Sequence, residues 1–210
     1  MEKLQSSFKN MVLSLVTICV VAAGALAGVY LLTLHNINAQ KKAKQQAAIL
    51  SVLPEGATIA EAVEEDGCKV YKAYINDEWV GSAVEAEENG FGGPQKIMVG
   101  FDTEGVVLGY EVLEHQETPG LGDHIVDWFK KADKPAQNII GRKANGRFIV
   151  SKDGGDVDAI TAATISSRAF LSAINKAFVA FTDEEVEAHT GASKQQHQEE
   201  PAIEKEATNE

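Results

Sequence analysis

The sequence predicts an α+β protein, a single N-terminal transmembrane helix followed by a domain of short antiparallel strands with flanking helices. Three observations predict it. Met11 to Leu34 is a 24-residue stretch without a charge. Between Cys68 and His115, short alternating runs are separated by Gly, Asn and Asp. From Ala163 to Phe181, apolar residues recur at three-and-four spacing.

The anchor follows from length. At about 1.5 Å per residue, 24 helical residues reach roughly 36 Å, enough to cross a hydrocarbon core of about 30 Å with some tilt. A signal peptide is the competing reading, but its apolar region runs about 7–15 residues, so an uncleaved anchor is expected. Gly24 and Gly28 sit four apart beside Ala23 and Ala27. That spacing suits close approach of another membrane helix, and equally the ordinary abundance of small residues in such spans. Charge does not orient the span, because Lys3 and Lys9 flank one end and Lys41, Lys42 and Lys44 the other.

Residues 35–54 are polar and Lys/Gln-rich until "AAILSVLP", which reads as a helical stalk stopped by Pro54. The outer domain is expected over 55–182. "CKVYKAYI" and "EWVGSAVEA" form a hairpin across "NDE", and a Gly-rich bend, "ENGFGGPQ", leads into "KIMVGFD". "TEG" turns the chain into "VVLGYEVLEH", and "QETPGLGD" is punctuated by Gly and Pro. "HIVDWFKKA" reads as a short helix and "GRFIV" as a strand. The last element is an amphipathic helix with Ile165, Phe170, Ile174, Phe178 and Phe181 at three-and-four spacing on one face.

Composition narrows function by exclusion. Residues 183–210 hold nine acidic residues against two lysines, with one Val, one Ile and no aromatic residue. Such a tail lacks the apolar surface to offset its ordering entropy and is expected to be disordered. The formal net charge of −12, without any Lys/Arg cluster, argues against nucleic-acid binding. Cys19 and Cys68 lie in different settings, and no Cys/His metal spacing exists.

One stretch carries an excess of hydroxyls. "DAITAATISSR", Asp158 to Arg168, sets Thr161, Thr164, Ser166 and Ser167 among alanines before the amphipathic helix. Asp158, Thr161 or a neighbour is expected to cap that helix, with Thr164 in its first turn. Free N–H groups and the positive end of the helix dipole favour an anion there. Ala162 and Ala163 keep the surface low, and Ser166, Ser167 and Arg168 supply donors. Taken alone, the pattern serves an ordinary helix cap as well as an anion site.

"DAITAATIS" resembles the flavinylation motif of bacterial membrane flavoproteins. That motif is an acidic residue, Ser/Thr three positions later, a small residue, Ala, and an acceptor Thr. "FGGPQKIMVGFDTEGVVLGYEVLEHQETPGLGD" resembles the FMN-binding domain of the same proteins. With the opening "MEKLQSSFKNMVLSL" and the single span, residues 1–182 resemble the G subunit of the Rnf ion-translocating electron transport complex. The C subunit of the sodium-pumping NADH:quinone reductase is the related alternative. A cofactor-free, membrane-anchored assembly protein is the alternative of another class.

The resemblance implies FMN joined covalently through its phosphate to Thr164, in a phosphoester made by a flavin transferase from FAD. Asp158, Thr161 and Ala163 match motif positions, Ser166 follows, and Ala162 stands where glycine is common. Glu117, Thr118, Gly120 and Leu121 are expected to approach the ring or the ribityl chain, although a tight turn explains the same residues. Trp79, Trp128 and Phe91 are aromatic candidates for stacking on the ring, and each also suits ordinary core or surface. His115 has no partner at ligand spacing. No catalytic residue and no metal are assigned. The implied function is electron transfer between ferredoxin- and NAD-linked carriers, coupled to sodium or proton transport, alongside the other Rnf subunits. Residues 1–10 would be cytoplasmic, and the flavin domain would lie on the periplasmic side of the inner membrane.

Overall fold

The computed structural model describes residues 8–145 and 147–190, the last eight of these by their backbone alone. The chain divides after Gln46 into two units.

The first unit is most of helix α1, Phe8–Val52. It is the one described helix long and apolar enough to cross a membrane. The expected span and stalk form one continuous helix. Both threonine hydroxyls inside the apolar stretch bond within the helix: Thr17 Oγ1 donates to the Leu13 carbonyl at 2.8 Å and Thr33 Oγ1 to that of Val29 at 2.9 Å. A lipid environment demands this, since no water is there to take their place.

The second unit is a meander. Strands β1 (Thr58–Ile59), β2 (Val63–Glu65), β3 (Cys68–Ile75), β4 (Glu78–Asn89), β5 (Pro94–Asp102) and β6 (Val107–Glu114) form one sheet. Its order is β1-β3-β4-β5-β6, with β2 also on β3, and every pairing is antiparallel. The turns dictate the hairpins. Asn76 and Asp77 both take positive φ, 52° and 65°, as a two-residue hairpin turn matched to strand twist requires. The fold class is therefore the expected α+β.

Helix α2, Thr164–Thr190, lies against the sheet. Phe170 stacks on Phe129 with ring centroids 4.7 Å apart and meets Tyr110 edge-on at 4.8 Å. Phe170, Leu171, Ile174 and Phe181 are buried with Val84, Ile97, Val99 and Phe101 of the sheet. At about 1.5–3 kcal/mol per buried large side chain, this layer dominates the domain's stability. Successive strand residues face opposite ways. Ala83 and Met98 accordingly join a second cluster with Ala48, Ile49, Val52 and Leu53 at the end of α1.

Two expected elements differ. "HIVDWFKKA" does not form one helix; it makes two short 3-10 turns, Gly122–Val126 and Trp128–Lys130. The buried Tyr110 hydroxyl donates to the Ile125 carbonyl at 3.0 Å and accepts from Phe129 N–H at 3.2 Å, holding that backbone in turns. The described part of "GRFIV", residues 147–150, is not a strand. The Asn175 side-chain amide takes the place of a partner strand, accepting from Phe148 N–H and donating to its carbonyl, both at 2.9 Å. Among the described residues, Val150 makes a single bridge, to Val157. The C-terminal helix runs to Thr190, past the expected boundary at 182, which the good helix formers Glu and Ala in "DEEVEA" permit. Of the expected disordered tail, residues 191–210 lie outside the described residues.

Candidate functional site

The first turn of α2 meets two loops of the sheet. The loop between β4 and β5 carries Phe91, and the segment after β6 carries Glu117, Thr118, Leu121 and Gly122. With Ala162, Ala163, Thr164, Ile165 and Ser166 these residues line a cavity of about 390 Å³. That volume lies in the range of small-molecule sites.

The four hydroxyls before and within α2 divide into distinct tasks. Ser167 Oγ accepts from Ile160 N–H at 2.9 Å and donates to the Ala163 carbonyl at 2.9 Å, which closes the turn. Ser166 Oγ donates to Glu117 Oε2 at 2.6 Å. Thr161 is exposed and does not line the cavity. Thr164, half-buried, lines the cavity, and its Oγ1 accepts from Lys152 Nζ at 3.2 Å.

Neither expected cap is used. The first helical bond runs from Ser167 N–H to the Ala163 carbonyl at 3.0 Å, so the capping position is an alanine. Asp158 is committed elsewhere: Oδ1 accepts from Ser151 Oγ at 3.0 Å, and its carbonyl accepts from Trp128 Nε1 at 2.8 Å. The N–H groups of Thr164, Ile165 and Ser166 have no acceptor inside the helix, the arrangement that favours an anion at a helix start. Ala162 holds φ of 63°, a left-handed conformation that turns the chain into this exposed start.

Glu117 does not present its carboxylate to the cavity as a free group. Oε1 accepts from Phe91 N–H at 2.9 Å and from Gln95 Nε2 at 2.7 Å, while Oε2 takes the Ser166 hydroxyl. Burial pushes its carboxyl upward, but bonds from Ser166, Gln95 and the Gly92 and Phe91 N–H groups outweigh that. They hold it below its ordinary value. Gly122 makes room for this contact, since a Cβ there would sit 2.5 Å from Glu117 Oε2 and 2.7 Å from Ser166 Oγ.

Of the sequence-predicted residues, Glu117, Thr118, Leu121, Ala163, Thr164 and Ser166 meet at the cavity, and Asp158, Thr161 and Gly120 do not line it. Phe91 is at its rim with 68% of its surface exposed. Trp79 packs on Phe181 in the core layer, and Trp128 binds the Asp158 carbonyl. Sequence reasoning missed Gln95, Gly122, Ile165 and Lys152. Gln95, Gly122 and Ile165 lie inside the quoted stretches "FGGPQ", "ETPGLGD" and "DAITAATIS", whereas Lys152 carried no signal. The lining suits a flavin phosphate compound: a helix start and the Thr164 hydroxyl, which the Lys152 ammonium contacts from outside the lining, with Phe91, Leu121 and Ile165 beside them.

The FMN-binding domain family matches residues 90–179, and every residue lining the cavity falls within those bounds. The G subunit of the ion-translocating oxidoreductase complex of Vibrio atlanticus is 34% identical over 74% of this chain and 81% of its own length. That of Escherichia coli is 34% identical over 77% of this chain and 86% of its own. The chain belongs to the G-subunit family. FMN is thus the cofactor of this domain. The Shewanella oneidensis member is 39% identical, and the alignment covers 59% of each of the two chains. Among solved structures, the C subunit of the Na(+)-translocating NADH-quinone reductase from Parabacteroides distasonis gives a TM-score of 0.49 at 17% identity. That superposition covers 71% of this chain and 95% of the other.

Proposed function

We propose that this chain is the membrane-anchored flavoprotein subunit of an ion-translocating oxidoreductase complex, with FMN joined as a phosphoester to Thr164. It works beside the other subunits of that complex and is loaded by a flavin transferase. It passes electrons between ferredoxin- and NAD-linked carriers on the periplasmic side, coupled to sodium or proton transport. One observation carries the reading. Two motifs far apart in the sequence, "ETPGLG" and "TAAT", converge on one cavity, and Thr164 Oγ1 lies at its anion-favouring end.

FMN supplies the electron-carrying chemistry, and the protein supplies position and surroundings. Attachment through phosphate leaves the flavin ring unmodified. Thr164 fixes the cofactor to the start of a rigid helix, and the free N–H groups of that turn stabilise the phosphate charge. Phe91, Leu121 and Ile165 offer an apolar border that limits water at the cavity.

The test is Thr164→Val co-expressed with an active flavin transferase. It should insert and fold but lose flavin fluorescence in a denaturing gel and the added mass of the intact chain. Thr164→Ser should keep part of the label, and Thr161→Ala should keep most of it. A wild-type chain without added mass would favour the cofactor-free assembly role, and a fluorescent Thr164→Val chain would move the acceptor to another hydroxyl.

A further inference from the structure

We propose that Lys152 is the phosphate-binding residue of this site, orienting the Thr164 hydroxyl for flavin transfer and then neutralising the phosphate joined to it. The inference rests on Thr164 being the acceptor, and it adds a residue that neither motif contains.

The first support is contact. Lys152 Nζ lies 3.2 Å from Thr164 Oγ1, the atom that would form the new bond. Among the described residues the ammonium makes no ion pair, so this hydroxyl is what it binds. The ammonium is exposed, and Asp153, the carboxylate that feels its charge, is held by Arg168, so Lys152 is open to an approaching phosphate.

The second support is how firmly its backbone is set. Lys152 sits in the 3-10 turn Ser151–Asp153, ended by Gly154 in the left-handed conformation at φ 87°. Ser151 N–H donates to the Val157 carbonyl at 2.8 Å, and Ser151 Oγ donates to Asp158 Oδ1 at 3.0 Å. Asp153 takes both Arg168 Nε and a terminal Arg168 nitrogen at 2.6 Å, tying the turn to the second turn of α2. Arg168 thereby also satisfies the one carboxylate adjacent to Lys152 in sequence. Asp158, remote from the cavity, acts on it through Ser151 as a positioning residue.

The chemistry follows. The Thr164 oxygen attacks the phosphorus on the FMN side of the FAD pyrophosphate, and the bond from that phosphorus to the AMP-side oxygen breaks. AMP leaves, and the hydroxyl proton passes to solvent or to a base of the transferase. Two phosphate groups are present before the step and two after it, and no oxidant or reductant is needed. The ammonium favours this path because negative charge gathers on the phosphate oxygens as the bond forms. In the product it faces a singly charged diester at the helix start.

The experiment uses the full chain in detergent, purified flavin transferase and FAD, and follows covalent label by gel fluorescence and intact mass. Lys152→Met should lower the maximal labelling rate by about tenfold to a hundredfold, as loss of one charge-assisted hydrogen bond implies. Its KM for the acceptor chain should stay within about twofold, and Lys152→Arg should recover much of the rate. Lys134→Met, an exposed lysine outside the cavity, should label like wild type, and all variants should melt together. Labelling of Lys152→Met at the wild-type rate overturns the proposal. So does a defect confined to KM, which would make Lys152 a docking contact for the transferase. An unlabelled wild-type chain, or a labelled Thr164→Val chain, identifies failure of the Thr164 assignment instead.

Discussion

Two carboxylates grip the start of α2 from different sides, and they differ in burial. Glu117 is 5% exposed and holds Ser166, Gln95 and Phe91 N–H together. Asp153 is open to water and holds Arg168 through two bonds of 2.6 Å. By distance alone the Asp153 pair is the better made. Energetically the order reverses, because water competes for an exposed pair and cannot reach a buried one. The lesson is that the buried cluster sets the shape of the site, whereas the surface pair tunes the position of one turn.

The largest effect is therefore expected at Glu117. Glu117→Leu strands the Ser166 hydroxyl, one Gln95 donor and Phe91 N–H, and should cost about 2–4 kcal/mol in denaturant unfolding of the domain. Acid separates the charge from the shape. Because the folded carboxyl titrates below its unfolded value, its stabilisation is complete above the unfolded pKa and is lost as pH falls through the folded one. Unfolding midpoints measured from about pH 6 down to about pH 3 should fall for wild type below about pH 4.5. Glu117→Gln should start lower and slope less. Parallel slopes for the two proteins would mean that Glu117 carries no such linkage.

A smaller effect of opposite sign is expected at the turn just before α2. Ala162 holds a left-handed conformation that costs a residue with a Cβ about 1 kcal/mol. Ala162→Gly relieves that cost but adds chain entropy to the unfolded state, for a net gain of under about 1 kcal/mol. Flavin label should be unchanged. Destabilisation instead would show that the Ala162 methyl packs usefully at the cavity rim.

How much of this was legible depends on whether the cause was local. The hairpins were, because Asn76-Asp77 and the alternation around them act over a few residues. The convergence of "ETPGLG" with "TAAT" was reached through family resemblance. The roles within those motifs were not legible. Glu117 was expected to face the flavin, but its partners come from Phe91, Gln95 and Ser166, up to 49 residues away. Asp158 looked like a cap because caps are read from spacing, yet Ser151 competes for it. The missing strand at "GRFIV" has the same origin, since the Asn175 amide that satisfies it lies 27 residues on.

The smallest stability effect should come from the surface pair, where it also separates folding from function. Arg168 draws the Asp153 carboxyl below its usual range, first through their hydrogen bonds and then through its charge. Both groups nevertheless sit in water, and Asp153→Asn should leave the thermal midpoint of the domain unmoved within error. The neutral amide can keep one bond to Arg168, but it loses the two-point grip that sets the Ser151–Asp153 turn. Lys152 then samples a wider range beside Thr164, and the rate of flavin labelling should fall severalfold while its endpoint is kept. Comparing midpoint and labelling rate on the same preparation decides the matter. A lowered midpoint with normal labelling would make the pair a stabilising contact and nothing more. A slowed rate at an unchanged midpoint would place it among the groups that position Lys152.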